Sequence, residues 1–376
     1  MTRNPSTDLY RNPELQFRGE IPSGRIGWRS PSNIALVKYW GKKPVQLPQN
    51  PSVSFTLKNS NTETVLEYMP ADERGMDVVF YFDGERNEQF EKKTKNFFDS
   101  LKDTFPFIGR LKFVIHSKNN FPHSAGIASS ASGMSALALI LCDLERNYFN
   151  TLTDDDEFFR KASYIARLGS GSACRSVYGG ISLWGDTEGL PGTSDLYAFP
   201  VQQDIHPDFL TYRDTILLID AGQKKVSSRV GHSLMDKHPF AKQKYKLARK
   251  NLKVLLDAMS RGDFQTFIRI TELEALSMHA MMMTSNPYYL LMKPNTLNII
   301  ERVFNFRQKQ NTPVSFTLDA GPNVHLLYPA AYRNVVMNFI ENELMPYLTA
   351  GGYIDDEVGN GPERIKDKNG EIKVGG

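Results

Sequence analysis

The stretch Asn119–Gly133, which reads NNFPHSAGIASSASG, constrains the fold of this chain more than any other segment. An alternating apolar segment, Leu111–Ser117, precedes it and predicts a strand, and a helical apolar pattern follows over Met134–Leu144. Small side chains let a ligand approach the backbone, and a helix start offers unpaired N–H groups and a dipole that favours anions. The stretch therefore indicates either a phosphate-binding loop or a Ser/Ala-rich helix packed closely on a sheet.

Two common nucleotide-binding fingerprints are missing or incomplete. No GxxxxGKS/T run occurs, so the chain lacks a loop lysine of that type. The segment Gly169–Cys174 has two correctly spaced glycines, but Cys174 stands where the dinucleotide pattern needs a third. A nucleotide-binding hypothesis must therefore rest on another phosphate-binding family.

Length and pattern predict two domains of α+β structure. At 376 residues the chain exceeds one ordinary compact core, and its strands and helices mix without strict βαβ alternation. The pattern loosens around Pro191–Pro207. We expect a polar N-terminal extension (1–24), an N-terminal domain with the phosphate loop (25–200), a C-terminal domain (201–355) and a loosely held polar tail (356–376).

Composition excludes several classes of function. A net charge of +3 is too mild to indicate nucleic-acid binding, and no apolar run reaches membrane-spanning length. The two cysteines and scattered histidines make neither a disulfide framework nor a zinc-ligand set. The polar N-terminus lacks the apolar core of a signal peptide. We expect a cytoplasmic protein that binds neither nucleic acid nor membrane.

Four further segments have a clear secondary-structure pattern. Val53–Leu57 and Thr62–Met69 are predicted as separate strands. Glu88–Lys102 is predicted as an exposed amphipathic helix that serves as scaffold. The helix Phe264–Met282 ends in a methionine-rich stripe, which indicates core or subunit contact.

Four segments together resemble the signature segments of the mevalonate diphosphate decarboxylases, which belong to the GHMP kinase superfamily. They are SPSNIALVKYWGK, NNFPHSAGIASSASG, RLGSGSACRSVYGG and TLDAGPNVHLLY. They occur in the same order and at similar spacing, and the resemblance covers roughly Trp28 to Tyr347. The glycine–serine loop alone indicates only the superfamily, whereas NIALVKYWGK with GSGSACRS points to the decarboxylase branch.

The resemblance implies a fold, a reaction and partners. The N-terminal half would be similar to the ribosomal S5 domain 2-like fold, the C-terminal half would be ferredoxin-like, and the active site would lie in the cleft between them. ATP, with Mg²⁺, would phosphorylate the 3-hydroxyl of mevalonate 5-diphosphate. Loss of phosphate and CO₂ would then give isopentenyl diphosphate. A homodimer is also a family expectation.

The resemblance also assigns three catalytic residues. Asp319 matches the aspartate that accepts or orients the 3-hydroxyl proton, where positioning matters more than basicity. Lys38 matches the lysine beside this aspartate, whose charge keeps the carboxylate ionised and offsets charge on the transferring phosphoryl group. Arg175 matches the arginine that faces the substrate carboxylate, which a planar guanidinium binds bidentately.

The remaining assignments concern binding. On the substrate, the matching residues are Tyr39, Lys42, Ser170, Ser172 and Arg175. On the ATP phosphates, they are Ser124, Gly126, Ala128, Ser129, Ser130 and Ser132, and Ser130 is also the candidate Mg²⁺ contact. The segment Lys224–Arg229 resembles a family segment lying over the site, with Ser227 and Ser228 as candidate contacts, although a solvated basic loop fits it nearly as well.

The chain departs from the family pattern in two places. Lys43–Ser52 lacks the acidic residues that many members carry after YWGK, and His123 occupies a phosphate-loop position where threonine is more usual. Neither change touches Lys38, Arg175 or Asp319.

Two of the catalytic residues and the function itself have alternative interpretations. Asp319 lies in a good turn sequence, and Lys38 flanks a strand, as many surface lysines do. An enzyme acting on mevalonate 5-phosphate, a 3-kinase without decarboxylation, and a non-catalytic metabolite-binding protein are the competing functions.

Overall fold

A computed structural model describes residues 5–73, 75–122, 127–201, 204–220 and 228–366. It has the predicted α+β composition, with helices packed on two main sheets. Within these ranges, no helix combines the length and apolar character needed to cross a bilayer.

The strands of the described residues are arranged in two sheets and one short hairpin. In chain order they are β1 (Gly24–Val37), β2 (Lys42–Lys43), β3 (Leu47–Pro48), β4 (Ser52–Pro70), β5 (Asp77–Phe82), β6 (Glu85–Arg86), β7 (Leu111–Asn119), β8 (Ile181–Trp184), β9 (Ala198–Pro200), β10 (Arg213–Leu217), β11 (Ser315–Leu318), β12 (Val324–Tyr328), β13 (Tyr353–Glu357) and β14 (Glu363–Arg364). The first sheet has the order β14-β1-β4-β7-β5-β6, with β8 beside β4 and β9 beside β8; the second has the order β11-β12-β10-β13. Only the β5–β7 pair of the first sheet is parallel among these strands.

Nine α-helices accompany these strands in the described residues. They are α1 (Pro5–Asp8), α2 (Glu88–Ser100), α3 (Ser129–Phe149), α4 (Asp155–Gly169), α5 (Ser228–Ser233), α6 (Ala241–Arg261), α7 (Phe264–Met283), α8 (Pro294–Gln310) and α9 (Arg333–Phe339). A 3₁₀ segment, Gly171–Val177, follows α4 and carries the glycine- and serine-rich motif. Side-chain caps start several helices: Asn87 accepts from Phe90 N–H at α2, and Asp263 from Thr266 N–H at α7.

The helix α3 forms the centre of the first half. It packs against β1, β4 and α4, and nearly all its residues from Ala131 to Glu145 are buried. Its small N-terminal residues let the helix start lie close to the sheet. The strand and the helix predicted on the two sides of the loop are therefore present as β7 and α3. Residues 123–126 of the loop, which include His123, lie outside the described ranges.

The strand β4 differs from the prediction of two separate strands. It is continuous over 19 residues, from Ser52 to Pro70. In its middle, the Asp356 carboxylate accepts hydrogen bonds at 2.7 to 3.0 Å from the backbone N–H groups of residues 58–60. The polar KNSN segment (58–61), which lies between the two predicted strands, therefore stays in β4 because a distant carboxylate satisfies its backbone donors.

The two ends of the chain also pack on the body. In the N-terminal extension, Leu15 is buried and the Tyr10 ring packs on Tyr164 at a centroid distance of 5.2 Å. The expected loose tail differs from the structure as far as residue 366: β13 continues to Glu357, and β14 pairs with β1 at Trp28 and Arg29. Residues 367–376 lie outside the described ranges.

Candidate active site

A cavity of about 1020 Å³ lies between the two halves of the chain. In the described residues its wall comes mostly from the first half, including Tyr39, Lys42 and the start of α3, while the second half contributes His232 and Asp319. The cavity therefore joins all four predicted segments: the segment after β1, the described part of the phosphate loop, the glycine- and serine-rich segment after α4, and the β11–β12 connection.

The start of α3 forms one wall of this cavity. Ala128, Ser129 and Ser130 line it, and Ala128 adopts a left-handed conformation with φ of 44°. An alanine cannot cap the helix, and no side-chain hydrogen bond caps α3 within the described residues. The first N–H groups of this long helix are thus placed to bind an anion in the cavity.

Not every predicted phosphate contact lies here. Ser132 is fully buried, and its hydroxyl pairs with the Thr62 hydroxyl at 2.6 Å, because the helical turn points it toward β4 instead of the cavity. Ser124 and Gly126 lie outside the described residues, as does Ser227; the side chain of Ser228 is likewise not described.

Asp319 lies between β11 and β12, with its side chain at the cavity wall. Its backbone carbonyl accepts from Gly321 N–H at 2.7 Å and is 3.1 Å from Nε2 of His279. Burial lowers the pKa of His279 to about 4, so the neutral ring donates from Nε2 to this carbonyl. The turn that the sequence suggested is present, and it presents the aspartate to the cavity.

Lys38 lies one residue beyond β1 and is only 1% exposed. Its Nζ donates to the carbonyl of Ala35 at 2.6 Å, and no carboxylate of the described residues forms an ion pair with it. Burial lowers the pKa of Lys38 to about 8, although the negative charges of Asp319 and Glu274 oppose the shift. Lys38 is thus a buried cation within electrostatic reach of Asp319.

Glu274 on α7 holds the backbone around Lys38. It is fully buried, and its carboxylate accepts from the Lys38 backbone N–H at 3.1 Å, from Lys244 Nζ at 2.7 Å and from Asn251 Nδ2 at 2.7 Å. The sequence analysis missed this residue. The one local indication was that Glu274, a charged residue, occupies a position on the buried face of the predicted helix.

Arg175 is a second buried cation, 2% exposed, in the 3₁₀ segment after α4. Its guanidinium donates to the hydroxyls of Ser54, at 2.5 Å, and Ser52, at 2.7 Å. Burial lowers its pKa, while the charge of Asp319 acts in the opposite direction. Its hydrogen-bond partners in the described residues are neutral, so no carboxylate in direct contact neutralises the positive charge of Arg175.

The structure does not place all the candidate residues at the surface of the cavity. Lys38 and Arg175 lie beneath its wall, whereas Tyr39, Lys42, Ser170, Ser172 and Asp319 line it. The two buried cations therefore act on the cavity chiefly through their positive potential, which is strong in a poorly solvated interior. Direct contact between Arg175 and a ligand would require the ligand to replace the serine hydroxyls.

One face of α2 also lines the cavity. The sequence analysis assigned this helix to the scaffold, and its apolar side is indeed buried at Phe97 and Phe98. Its polar side faces the cavity with Gln89, Lys92, Lys93, Asn96 and Ser100. The spacing of these polar residues was visible, but a solvated helix face has the same spacing.

His232 on α5 is the other residue that the sequence analysis missed. It is buried, lines the cavity, and lies between the rings of Tyr39 and Trp40 at centroid distances of 4.4 and 4.7 Å. Its Nδ1 accepts a hydrogen bond from Gly41 N–H at 3.0 Å. No sequence signal pointed to it, because its surroundings come from residues about 190 positions earlier in the chain.

The described residues contain no cluster of three or more His, Cys, Asp or Glu side chains that could hold a metal ion. A cation bound here would depend on ligand oxygens for most of its coordination. The exposed hydroxyl of Ser130, at the start of α3, is the candidate protein contact that this geometry offers.

Comparisons with known proteins agree with this architecture. Residues 30–198 match the diphosphomevalonate decarboxylase-like N-terminal domain family, and residues 215–368 match the mevalonate 5-diphosphate decarboxylase C-terminal domain family. The diphosphomevalonate decarboxylase of Saccharomyces cerevisiae is 31% identical over 326 residues, covering 83% of this chain and 79% of the relative.

Solved structures give the same result. A mevalonate diphosphate decarboxylase from Staphylococcus aureus superposes with a TM-score of 0.79 at 28% identity, covering 92% of this chain and 99% of its own. MDDEF in complex with MVAPP, AMPPCP and magnesium has a TM-score of 0.77 at 28% identity, covering 92% of this chain and all of its own.

Proposed function

This chain belongs to the diphosphomevalonate decarboxylase family, and we propose that it converts mevalonate 5-diphosphate and ATP to isopentenyl diphosphate, ADP, phosphate and CO₂. The observation that carries the proposal is the cavity in which Asp319 shares a wall with the uncapped start of α3. A carboxylate for the hydroxyl proton and N–H groups for the phosphates are the two elements that phosphoryl transfer to an alcohol requires.

In the first step, the 3-hydroxyl oxygen of the substrate attacks the γ-phosphorus of ATP. Asp319 orients this hydroxyl and accepts its proton as the new O–P bond forms and ADP leaves. The rigid turn of Asp319, held through its backbone carbonyl by His279 and Gly321, fixes the carboxylate for this task.

Lys38 supplies positive charge from beneath the cavity wall. Its ammonium attracts the negative charges of Asp319 and of the transferring phosphoryl group, and low solvation strengthens both attractions. Because Nζ already donates to the Ala35 carbonyl, Lys38 works mainly as a fixed charge.

In the second step, the C3–O bond to phosphate breaks, the carboxylate carbon leaves as CO₂, and the electron pair of the broken C–C bond forms the double bond. Arg175 holds the substrate carboxylate by its positive charge. Arginine stays charged throughout, so it does not protonate the group that must depart as CO₂.

The residues present fit both ATP and magnesium. Ala128, Ser129 and Ser130 offer the helix start to the phosphates, and the polar face of α2 with Lys92 extends the cavity beyond them. When bound, Mg²⁺ neutralises charge on the phosphate oxygens. Ser130 would contribute a hydroxyl to a metal held mainly by the nucleotide.

To test the proposed reaction, purified protein is incubated with Mg-ATP and mevalonate 5-diphosphate labelled at the carboxyl carbon. The formation of ADP and of CO₂ is measured in the same sample. Equal amounts of both products support the proposal. ADP without CO₂ would establish a 3-kinase instead. If neither product forms, the same assay with mevalonate 5-phosphate tests the monophosphate alternative, and no product there would indicate a binding protein.

We also propose a homodimer and a cytoplasmic location. Exposed apolar side chains on α7 and α8, including Leu276, Met283, Leu297 and Phe304, support a subunit contact. Most of the methionine-rich stripe on α7 is instead core, since Met278, Met281 and Met282 are buried. Both cysteines are free and buried, in keeping with a reducing compartment. Sedimentation of the protein and of a Leu276→Asp, Phe304→Asp variant tests the dimer.

A further inference from the structure

We propose that His232 is a phosphate-binding residue of the substrate site, and that its Nε2–H donates a hydrogen bond to an oxygen of the substrate diphosphate. This inference rests on the proposed function, because it assigns a further contact within the same cavity.

The imidazole ring of His232 is held in place at the cavity wall by its neighbours. His232 is 7% exposed and lines the cavity. Contacts with the rings of Tyr39 and Trp40, at centroid distances of 4.4 and 4.7 Å, fix the plane of the imidazole. The adjacent Gly231 allows this packing, because a Cβ at that position would lie 2.6 Å from the Trp40 ring. The ring is therefore held in a single orientation.

The hydrogen bond from Gly41 determines the tautomer of the His232 ring. The backbone N–H of Gly41 can only donate, and it lies 3.0 Å from Nδ1 of His232. Nδ1 must therefore be the unprotonated nitrogen, and the proton of the neutral ring resides on Nε2. Within the described part of the chain, the bond from Gly41 to Nδ1 is the hydrogen bond that the His232 ring makes, and none involves Nε2. Its N–H is thus available to a ligand in the cavity.

The surroundings of His232 keep its ring uncharged. Burial, together with the positive charges of Lys42 and Arg175, lowers the pKa of His232 to about 3, against the opposing effect of Asp319. The ring therefore stays neutral at physiological pH. It can donate from Nε2 but cannot accept a proton there, which excludes it as the general base of the reaction.

The groups around His232 indicate which kind of ligand this part of the cavity binds. Around His232, the cavity wall carries the ammonium of Lys42 and the hydroxyls of Ser170 and Ser172. The nearby hydroxyl of Tyr39 is buried without a partner in the described residues. A set rich in donors and positive charge suits anionic oxygen, and a diphosphate supplies several such acceptors. The proposed function assigns the uncapped start of α3 to the ATP phosphates, so the separate donor set around His232 is assigned to the substrate.

Two substitutions separate the donor role from a structural role. Asparagine places its side-chain oxygen near the position of Nδ1, so His232→Asn keeps an acceptor for Gly41 but removes the distal donor. Glutamine places its amide nitrogen near the position of Nε2, so His232→Gln keeps the donor but removes the acceptor. Calorimetry then measures the binding of mevalonate 5-diphosphate, pyrophosphate and Mg-ATP, each alone, to both variants and the unsubstituted protein.

The proposal predicts that His232→Asn raises the Kd for mevalonate 5-diphosphate and pyrophosphate by about 10- to 100-fold, as expected for one lost hydrogen bond to a charged acceptor. His232→Gln should stay within about threefold of the unsubstituted protein, and the Kd for Mg-ATP should change little in either variant. If His232→Asn binds normally, if His232→Gln loses as much, or if only Mg-ATP binding weakens, the proposal is overturned.

Pyrophosphate separates this inference from the proposed function. If the unsubstituted protein binds pyrophosphate through His232 but not mevalonate 5-diphosphate, the proposed function fails and the phosphate site stands. If it binds neither, the site is refuted. Nitrogen-15 NMR of the unsubstituted protein gives a reading that does not depend on variant folding: Nε2 should carry the proton, and its signal should move when pyrophosphate is added. An Nδ1-protonated ring, or no movement, contradicts the proposal.

Discussion

The carboxylate of Glu274 accepts a hydrogen bond from the backbone N–H of Lys38 at 3.1 Å, and the same oxygen pairs with Lys244 Nζ at 2.7 Å. A helix of the second half thereby holds the strand end of the first half that carries the buried cation. The contact also places a negative charge where it raises the pKa of Lys38. Glu274 is thus a positioning residue that links the two halves at the candidate active site.

Replacing Glu274 by glutamine should lower kcat by about tenfold or more while changing the KM for ATP little. The physical reason is the loss of the charge that helps to keep Lys38 protonated. The alkaline limb of the pH–rate profile should accordingly move to lower pH. Steady-state kinetics across pH 6 to 10 checks this prediction.

The same substitution leaves the buried Lys244 without its carboxylate, which costs about 3–5 kcal/mol of stability when one partner of such a pair is removed. A double variant, Glu274→Gln with Lys244→Met, is the control, because it removes the unpaired cation. The double variant should recover thermal stability and shift the pH profile less than Glu274→Gln does, because the Lys244 charge that it also removes lowers the pKa of Lys38. An unshifted profile in Glu274→Gln itself would show that Glu274 has only a structural role.

The buried ammonium of Lys38 predicts an alkaline limit to activity. Its pKa is lowered to about 8, and a neutral lysine no longer supports Asp319 or the phosphoryl group. The value of kcat/KM, which reports the free enzyme, should therefore fall as pH rises through about 8. In Lys38→Met, the residual activity should lack this limb. An unchanged limb in that variant would assign it to another group.

Lys38 should also leave a signature in stability. Its pKa in the folded state lies below the usual 10.5, so the unfolded chain binds the proton more tightly. Below about pH 8, Lys38 is charged in both the folded and the unfolded chain, and the full free-energy cost of burying this charge lowers stability. The cost decreases as pH rises from about 8 toward 10.5. Thermal unfolding between pH 8 and 10 should show this contribution to stability rising with pH in the unsubstituted protein and absent in Lys38→Met.

Two substitutions of Arg175 separate the effect of its positive charge from the effect of its planar guanidinium group. Arg175→Gln removes the charge and should reduce kcat/KM for mevalonate 5-diphosphate by about 100-fold, roughly the loss of one or two charged hydrogen bonds. Arg175→Lys keeps the charge and should retain more activity if the positive potential dominates. Equal losses in both variants would mean instead that the ligand binds the guanidinium bidentately.

Ser130 and Ser132 form a matched pair on α3. Ser130 is exposed at the cavity, whereas Ser132 is buried against Thr62. Ser130→Ala should raise the KM for Mg-ATP severalfold without a change in thermal stability. Ser132→Ala should lower stability by about 1 kcal/mol, the usual contribution of one hydrogen bond, with the KM for Mg-ATP unchanged. The reverse result would place the nucleotide on the other face of α3.

Local sequence determines much of the fold and the candidate site. The alternating residues of β7 and the small residues before α3 carry their own structural information, because strand period and helix-start chemistry depend on neighbouring residues. The turn at Asp319 is similarly local. Such features make the four motifs recognisable in the sequence, and the structure brings all four to one cavity.

Features that depend on distant partners were not predictable. The continuity of β4 depends on Asp356, about 300 residues away, which satisfies its backbone donors. The environments of His232 and Glu274 depend on residues 38–41, far along the chain. Burial of Lys38 and Arg175 beneath the wall follows from how the two halves pack. Motif spacing carries no information on any of these contacts.

The central claim is that Asp319 performs phosphoryl transfer in this cavity, and Asp319→Asn tests it most directly. The amide keeps the size of the side chain but cannot take the proton of the 3-hydroxyl. We predict that production of both ADP and CO₂ from mevalonate 5-diphosphate falls by about 10²- to 10⁴-fold, while Mg-ATP still binds with nearly unchanged Kd. Turnover close to that of the unsubstituted protein would contradict the account.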